Sequence, residues 1–151
     1  LVTVHPTAAR LAQRLHQRGL QIEVTTLSDS ARTAALAAAA LGVEVGQIVK
    51  SLVFLRAGSP VMVLCAGDRR VDAERLGLSP AKADQVRAVT GFSIGGIPPL
   101  GHATELPTMI DDSLRRFDVV WAAAGTHHDV FPVSTEAMIA AIPGAEVIAV
   151  S

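Results

Sequence analysis

Lysine occurs at only two positions of this chain, 50 and 82, and the remaining basic side chains are arginines. Lys50 lies in the run Ile48-Val49-Lys50-Ser51-Leu52-Val53-Phe54-Leu55. Strand alternation puts Ile48, Lys50, Leu52 and Phe54 on one face, otherwise apolar. An unpaired ammonium buried there would cost several kcal/mol, on the order of the penalty for any desolvated ion. The side chain must therefore snorkel to an edge or meet an anion in a cleft. A phosphate held by a point charge fits the second outcome.

The next group is the loop Gly95-Gly96-Ile97-Pro98-Pro99-Leu100-Gly101-His102. Its glycines permit close approach of a ligand to the backbone, and its prolines stiffen it. Free N–H donors would come from Gly96, Ile97, Leu100, Gly101 or His102, and could polarise an ester carbonyl and stabilise an oxyanion. The plainer reading is a tight connection. A dinucleotide-binding fingerprint does not fit the glycine spacing. A third group, Gly125-Thr126-His127-His128-Asp129, follows an apolar run and reads as a pocket wall or as a polar turn between strands. His102, His127, His128 and Asp129 form a conceivable metal set, but adjacent histidines rarely aim at one ion and no metal-ligand spacing supports it. Cys65, inside Val61–Cys65, reads as core. No GxSxG nucleophile motif is present. Asp111-Asp112 reads as a helix cap. Arg69-Arg70 and Arg115-Arg116 read as solvated surface that could also touch a polyanion.

Composition narrows what these groups can serve. In 151 residues, half hydrophobic, with a net charge of −1, a disordered tail is excluded and one domain with its own core is expected, spanning 1–151. Near-neutral charge argues against a broad basic field for coating DNA or an acidic membrane. The longest apolar stretch, Ala34 to Leu41, is too short for a membrane span. No secretory signal opens the sequence as given, and a single cysteine forbids an internal disulfide, so a cytoplasmic protein is expected. Aromatics, at 3%, leave little for base stacking.

Periodicity predicts the elements that must position these groups. A helix opens at His5-Pro6-Thr7 and stops at Gly19, and Ile22–Thr26 reads as a strand. Ser30 is the predicted cap of a helix over Ala31–Leu41, closed by Gly42, and Val43–Ile48 as a helical turn. Val49–Leu55 and Pro60–Ala66 read as a hairpin. Helices are predicted over Asp72–Leu76 and Ala81–Val89, and a strand over Leu106–Ile110. A short helix runs from Asp111 to Phe117, and strands cover Val119–Ala124 and Val130–Val133. A helix from Ser134 to Ala141 and a strand over Glu146–Val150 complete the chain. The mixture, with one hairpin and no βαβ series, predicts an α+β fold with a mixed, mostly antiparallel sheet flanked by helices.

From Ala8 to Val150 the sequence resembles the YbaK/ProX family of aminoacyl-tRNA deacylases, whose fold is also the editing insertion of bacterial prolyl-tRNA synthetases. The anchors are the segment from Val45 to Leu52, Thr90 to His102, Leu106 to Asp111, and Ala124 to His128, in that order. The resemblance implies hydrolysis of the ester joining a mischarged amino acid to the terminal adenosine of tRNA, without cofactor, metal or protein nucleophile. It implies that Lys50 holds the terminal phosphate or ribose, and that Gly95, Gly96 and Gly101 present backbone donors to the carbonyl. Ile97, Pro98, Pro99, His102, Gly125, His127 and His128 would shape the substrate pocket, with His128 able to orient a hydroxyl or water. The partner implied is the acceptor end of aminoacyl-tRNA, with prolyl-tRNA synthetase as a candidate protein partner and neither DNA nor membrane. Editing of this kind is needed because binding separates close amino acids by only about 1–3 kcal/mol per methylene. His102 after Pro99-Leu100-Gly101, and Thr126-His127-His128, depart from the branch that clears Cys-tRNA(Pro), so alanine stands beside cysteine as the amino acid removed. A silent binder of charged tRNA or a synthetase, and a metal-dependent hydrolase of small esters, are the alternative functions.

Overall fold

A computed structural model describes residues 4–28 and 32–151. The first helix, α1 (Pro6–Gln17), starts where proline needs no N–H partner, and the His5 ring accepts a hydrogen bond from the Thr7 N–H at 3.1 Å. Ala8, Leu11 and Leu15 are buried on one face. Strand β1 is only Thr25–Thr26, shorter than the Ile22–Thr26 run, because only those two residues find a partner strand. Helix α2 (Ala34–Leu41) is capped by Thr33, whose hydroxyl accepts from the Leu36 N–H at 3.2 Å, and it ends at left-handed Gly42. Ser30 and Ala31, where the sequence pattern put the cap and first turn, lie outside the described residues.

A short 3-10 turn (Val45–Gln47) leads into the hairpin of β2 (Val49–Arg56) and β3 (Ser59–Ala66). Ala57 and Gly58 both take positive φ, the backbone that a two-residue hairpin requires. The predicted helix over Asp72–Leu76 is instead a series of turns, 73–77. It gives way to an unpredicted strand, β4 (Leu78–Pro80), which pairs with the end of β2. Pairing with an available sheet edge outweighs helix propensity in a segment too short to form a stable helix alone. Then follow α3 (Ala83–Thr90), β5 (Thr108–Asp111), a 3-10 turn (Asp112–Arg116), β6 (Val119–Ala123), β7 (Asp129–Ser134), α4 (Thr135–Ala141) and β8 (Glu146–Ile148).

The strands form two sheets. One runs β4-β2-β3-β5-β8, antiparallel at β4-β2-β3 and parallel at β3-β5-β8, and the other is antiparallel in the order β1-β7-β6. This is the α+β fold with mixed strands that the sequence predicts. β3 is central and buried on both faces, which explains its unbroken apolar run. Met62, Leu64 and Ala66 join the main core with Leu11, Leu15, Ile110, Leu114, Phe131 and Met138. Val61, Val63 and Cys65 face a second cluster with Leu52, Phe54 and Met109. Among the described residues, no helix is long and apolar enough to cross a membrane.

Candidate active site

β4 pairs with β2 only at Phe54–Arg56, so among the described residues the opening half of β2 has no strand partner on that edge. The second sheet reaches that edge through one parallel bridge between Ile48 and Trp121. A cleft of about 310 Å³ lies along it. Ile48 and the start of β2, Val49 to Leu52, line it, with Arg32, the cap Thr33 and Ala34 and Ala37 of α2, and Trp121, Ala122, Ala123 and Val130 of the second sheet. The glycine-proline loop contributes Ile94, Gly95 and Ile97. Because the cleft follows an edge, it meets side chains from both faces of β2, including adjacent residues Lys50 and Ser51.

Lys50 is half-buried, opposite Cys65 in the hairpin. Its ammonium donates to the Arg69 carbonyl at 2.5 Å. An ammonium has three donors, so this bond leaves it with capacity for an anion. The Cys65 thiol beneath is pushed up to about 11 by burial, only partly offset by the Lys50 charge. That thiol stays protonated and is core, as its sequence context predicts.

Ser51 carries a second signal. Its hydroxyl is buried and has no hydrogen-bond partner among the described residues. Leaving a buried hydroxyl unsatisfied costs about 1–3 kcal/mol, and the residue that carries it lines the cleft.

The glycine-proline loop is mostly buried rather than an open row of donors. The Gly96 N–H is taken by the Ser93 carbonyl at 3.0 Å. Gly95 (φ +93°) sits beneath a bridge in which Arg32 Nε donates to His127 Nδ1 at 3.3 Å. A Cβ at Gly95 would lie 3.0 Å from that ring nitrogen. A Cβ on Gly96 would lie 3.0 Å from the backbone of Gly125 and Thr126. Thus Gly95, Gly96, Gly125 and His127 come together as one contact, of which Gly95 alone lines the cleft. Buried Asp129 holds the facing turn, accepting from Thr26 Oγ1 at 2.6 Å and Thr126 Oγ1 at 2.5 Å. His128 lies alongside, its Nδ1 3.3 Å from the Leu27 carbonyl oxygen.

The far end of the loop faces elsewhere. Gly101 packs against Leu11 and Leu15, and its carbonyl accepts from Arg14. His102 donates to the Pro98 carbonyl at 2.7 Å. Burial pushes its pKa below the ordinary imidazole value; the Pro98 bond opposes this, and Arg18 and Arg14 add to it. Pro99, Gly101 and His102 line a separate recess of about 20 Å³ beside α1. Pro98 is buried and lines neither hollow. His102 therefore stands apart from His127 and His128, and among the described residues no three metal-ligating side chains converge. Arg32, Ser51 and Trp121 line the cleft but were not singled out in the sequence. Ser51 was detectable there as the one polar residue on the Val49-Ser51-Val53 face, whereas Arg32 and Trp121 arrive only through tertiary packing.

The geometry has known counterparts. A crystal structure of a candidate trans-editing enzyme for prolyl-tRNA synthetase superposes with a TM-score of 0.91 and 40% identity over 99% of each chain. The Bacillus subtilis protein YwhH, uncharacterized, is 32% identical over 74% of this chain and 76% of its own length. EbsC of Enterococcus faecalis, named as a candidate Cys-tRNA(Pro)/Cys-tRNA(Cys) deacylase, is 24% identical over 71% of this chain and 70% of its own. Residues 28–141 match the family model for the aminoacyl-tRNA editing domain. The chain belongs to the aminoacyl-tRNA editing domain family, and its activity is that of an aminoacyl-tRNA deacylase.

Proposed function

We propose that this protein is a freestanding trans-editing deacylase that clears cysteine or alanine from mischarged tRNA(Pro), by metal-free chemistry in which the substrate supplies part of the catalysis. The observation that carries this reading is the cleft itself, with Lys50, Gly95 and Ile97 on its walls. At about 310 Å³ it is at the small end of ligand clefts, roughly 300–1,000 Å³. It must take the aminoacyl group together with part of the terminal nucleotide, which favours a small amino acid. Its largely apolar walls suit alanine or cysteine. The relatives named for prolyl-tRNA synthetase and for Cys-tRNA(Pro) support the same substrate class.

No described residue lining the cleft carries a carboxylate, imidazole or thiol. A side-chain general base is therefore missing from the walls, and proton transfer falls to the terminal ribose hydroxyl or to the amino acid. Water adds to the ester carbonyl carbon, and the carbonyl electrons move to oxygen as an oxyanion. Collapse breaks the bond to the ribose oxygen, which takes up a proton, and the amino acid leaves as a carboxylate. The protein positions and stabilises. Lys50 holds the terminal phosphate or ribose. The N–H groups of Gly95 and Ile97, two cleft-lining residues of the loop, have no acceptor among the described residues and serve as its donors. Gly96 and Gly125 set where that backbone sits, and His127 and His128 shape its rim. The Ser51 hydroxyl meets a polar atom of the substrate. Gly101 and His102 brace the loop from behind.

The test is a deacylation panel with Cys-tRNA(Pro), Ala-tRNA(Pro) and Ser- or Thr-charged tRNAs, with and without chelator. Hydrolysis of a prolyl-tRNA ester should exceed the buffer rate and resist the chelator. Lys50→Ala should lower kcat/KM about 10- to 150-fold, the equivalent of a charge-assisted hydrogen bond of roughly 1.5–3 kcal/mol. Decay of every ester at the buffer rate sinks the proposal. Binding without turnover would select the silent-module alternative.

A further inference from the structure

We propose that the RNA strand leaves the cleft across a shelf made by Arg69 and Arg70, and that Arg116 keeps this shelf available by occupying the Asp68 carboxylate. The inference rests on the deacylase reading and adds the path of the strand beyond the terminal nucleotide.

The shelf begins at the cleft wall. The Lys50 ammonium donates to the Arg69 carbonyl, so the backbone of residue 69 lies at the end of the one cationic side chain that β2 places on the cleft. Arg69 and Arg70 follow β3 and are exposed. Two acidic residues flank them, and both are engaged. Asp68 accepts from Arg116 at 2.9 and 2.7 Å, a bidentate pair. The Asp72 carboxylate accepts from the Arg75 N–H at 3.3 Å and lies 3.4 Å from its Nε. Arg69 approaches Asp68 only at 3.9 Å, and Arg70 makes no ion pair among the described residues. Arg116 holds the Asp68 carboxyl below its usual pKa range, so the pair persists as ions.

The chemistry favours consecutive phosphates of a single strand. Adjacent arginines carry fixed charge on long stems beside an ammonium already assigned to a phosphate or ribose. The chain's net charge of −1 means that no general basic field attracts RNA, so a local patch must. The rival patch is the exposed row of Arg10 and Arg14 on α1 and Arg18 just after it. Arg14 is spent on the Gly101 carbonyl, Arg10 lies 3.4 Å from the Thr7 hydroxyl, and Arg18 shares its recess with Glu105. None of these three lines the cleft, and neither do Arg69 and Arg70, but of the five only Arg69 is hydrogen-bonded, through its carbonyl, to a residue that does.

The experiment measures binding of uncharged tRNA(Pro) and of a single-stranded RNA ending in CCA to the full chain, by fluorescence anisotropy between 50 and 200 mM salt. For single strands, each phosphate contact contributes about 0.7 to the slope of log K against log salt, or roughly fivefold in affinity at 0.1 M. The Arg69→Gln/Arg70→Gln variant should bind about 25-fold more weakly with a slope smaller by about 1.4. Arg70→Gln alone should show about half of that slope change. Arg10→Gln/Arg18→Gln should leave both quantities near the native values. Arg116→Gln alone should weaken binding by releasing Asp68 toward Arg69, and Asp68→Asn/Arg116→Gln should restore it. That rescue is not expected if Arg116 only supports the fold. An unchanged slope in the shelf variants, or the loss appearing in the α1 variant instead, overturns the proposal. The readout needs no hydrolysis. A protein that binds RNA through the shelf but cleaves no ester would refute the deacylase reading and leave the shelf standing.

Discussion

At the scale of single residues, the cleft carries polar groups whose hydrogen-bonding capacity the fold leaves partly unused. The unpartnered Ser51 hydroxyl is the clearest case. Replacing an unsatisfied buried hydroxyl with an apolar group of similar shape is close to neutral or stabilising. Ser51→Ala should therefore hold or raise the unfolding midpoint while lowering kcat/KM for the edited tRNA about 5-fold or more, the loss of one hydrogen bond of roughly 1 kcal/mol. Parallel losses of stability and activity would show a purely structural serine. Ser51→Thr, which keeps the hydroxyl, should retain more activity than the alanine variant. His102 gives a different kind of prediction. Its pKa is depressed in the folded protein, chiefly by burial, so below the unfolded value of about 6.5 the unfolded chain binds more protons. Its contribution to stability is intact above that pH and declines as pH falls through the depressed folded pKa. Urea unfolding at pH 7.5 and 5 should show a smaller loss for His102→Gln, which keeps a donor for Pro98 without titrating. Equal losses in the two proteins would remove His102 from the account.

At the scale of elements, the decisive contact is between two turns rather than within a helix or strand. The loop after α3 and the turn between β6 and β7 meet backbone to backbone, with Gly96 against Gly125 and Thr126. The obstacle to a side chain at Gly96 is backbone, which cannot rotate out of the way. Gly96→Ala should cost about 1–3 kcal/mol, the usual penalty for overpacking, and should displace Gly95 and Ile97 from the cleft wall. Thermal unfolding and the deacylation rate should both fall. An alanine variant with native stability and rate would show that the turns can separate without consequence. Gly58→Ala serves as the comparison: a Cβ there meets nothing within 4 Å, so its positive φ is the remaining strain. It should lose stability but not rate per folded molecule.

At the scale of the whole molecule, the cleft exists because two sheets share one edge. β2 belongs to the larger sheet, and the second sheet touches it through Ile48 and Trp121. With a net charge of −1, the chain has little long-range attraction for tRNA as a whole. A synthetase partner could supply recognition beyond the acceptor end. A pull-down with prolyl-tRNA synthetase should therefore recover the protein when tRNA(Pro) is present. Absence of a complex across tRNA concentrations would mean that the chain finds its substrate alone.

The sequence alone determined what local chemistry governs. Pro6 and Gly19 bound the first helix, Ala57-Gly58 turns the hairpin, and Ser134 caps the last helix, its hydroxyl accepting from the Ala137 N–H at 3.3 Å. Each signal acts within a few residues, through φ preference or a neighbouring hydrogen bond. The lysine, glycine-proline and glycine-histidine segments were legible in another way, through a resemblance carried by their order and spacing. Only the tertiary structure decided which parts of those segments share a cleft. Gly95 and Ile97 face it, whereas Gly101 and His102 turn toward α1. Strand alternation predicted the face of Lys50 but not its bond to Arg69, nineteen positions away in sequence. The β4 strand, Arg32 and Trp121 escaped for one physical reason: their roles come from surfaces that exist only after distant segments have packed.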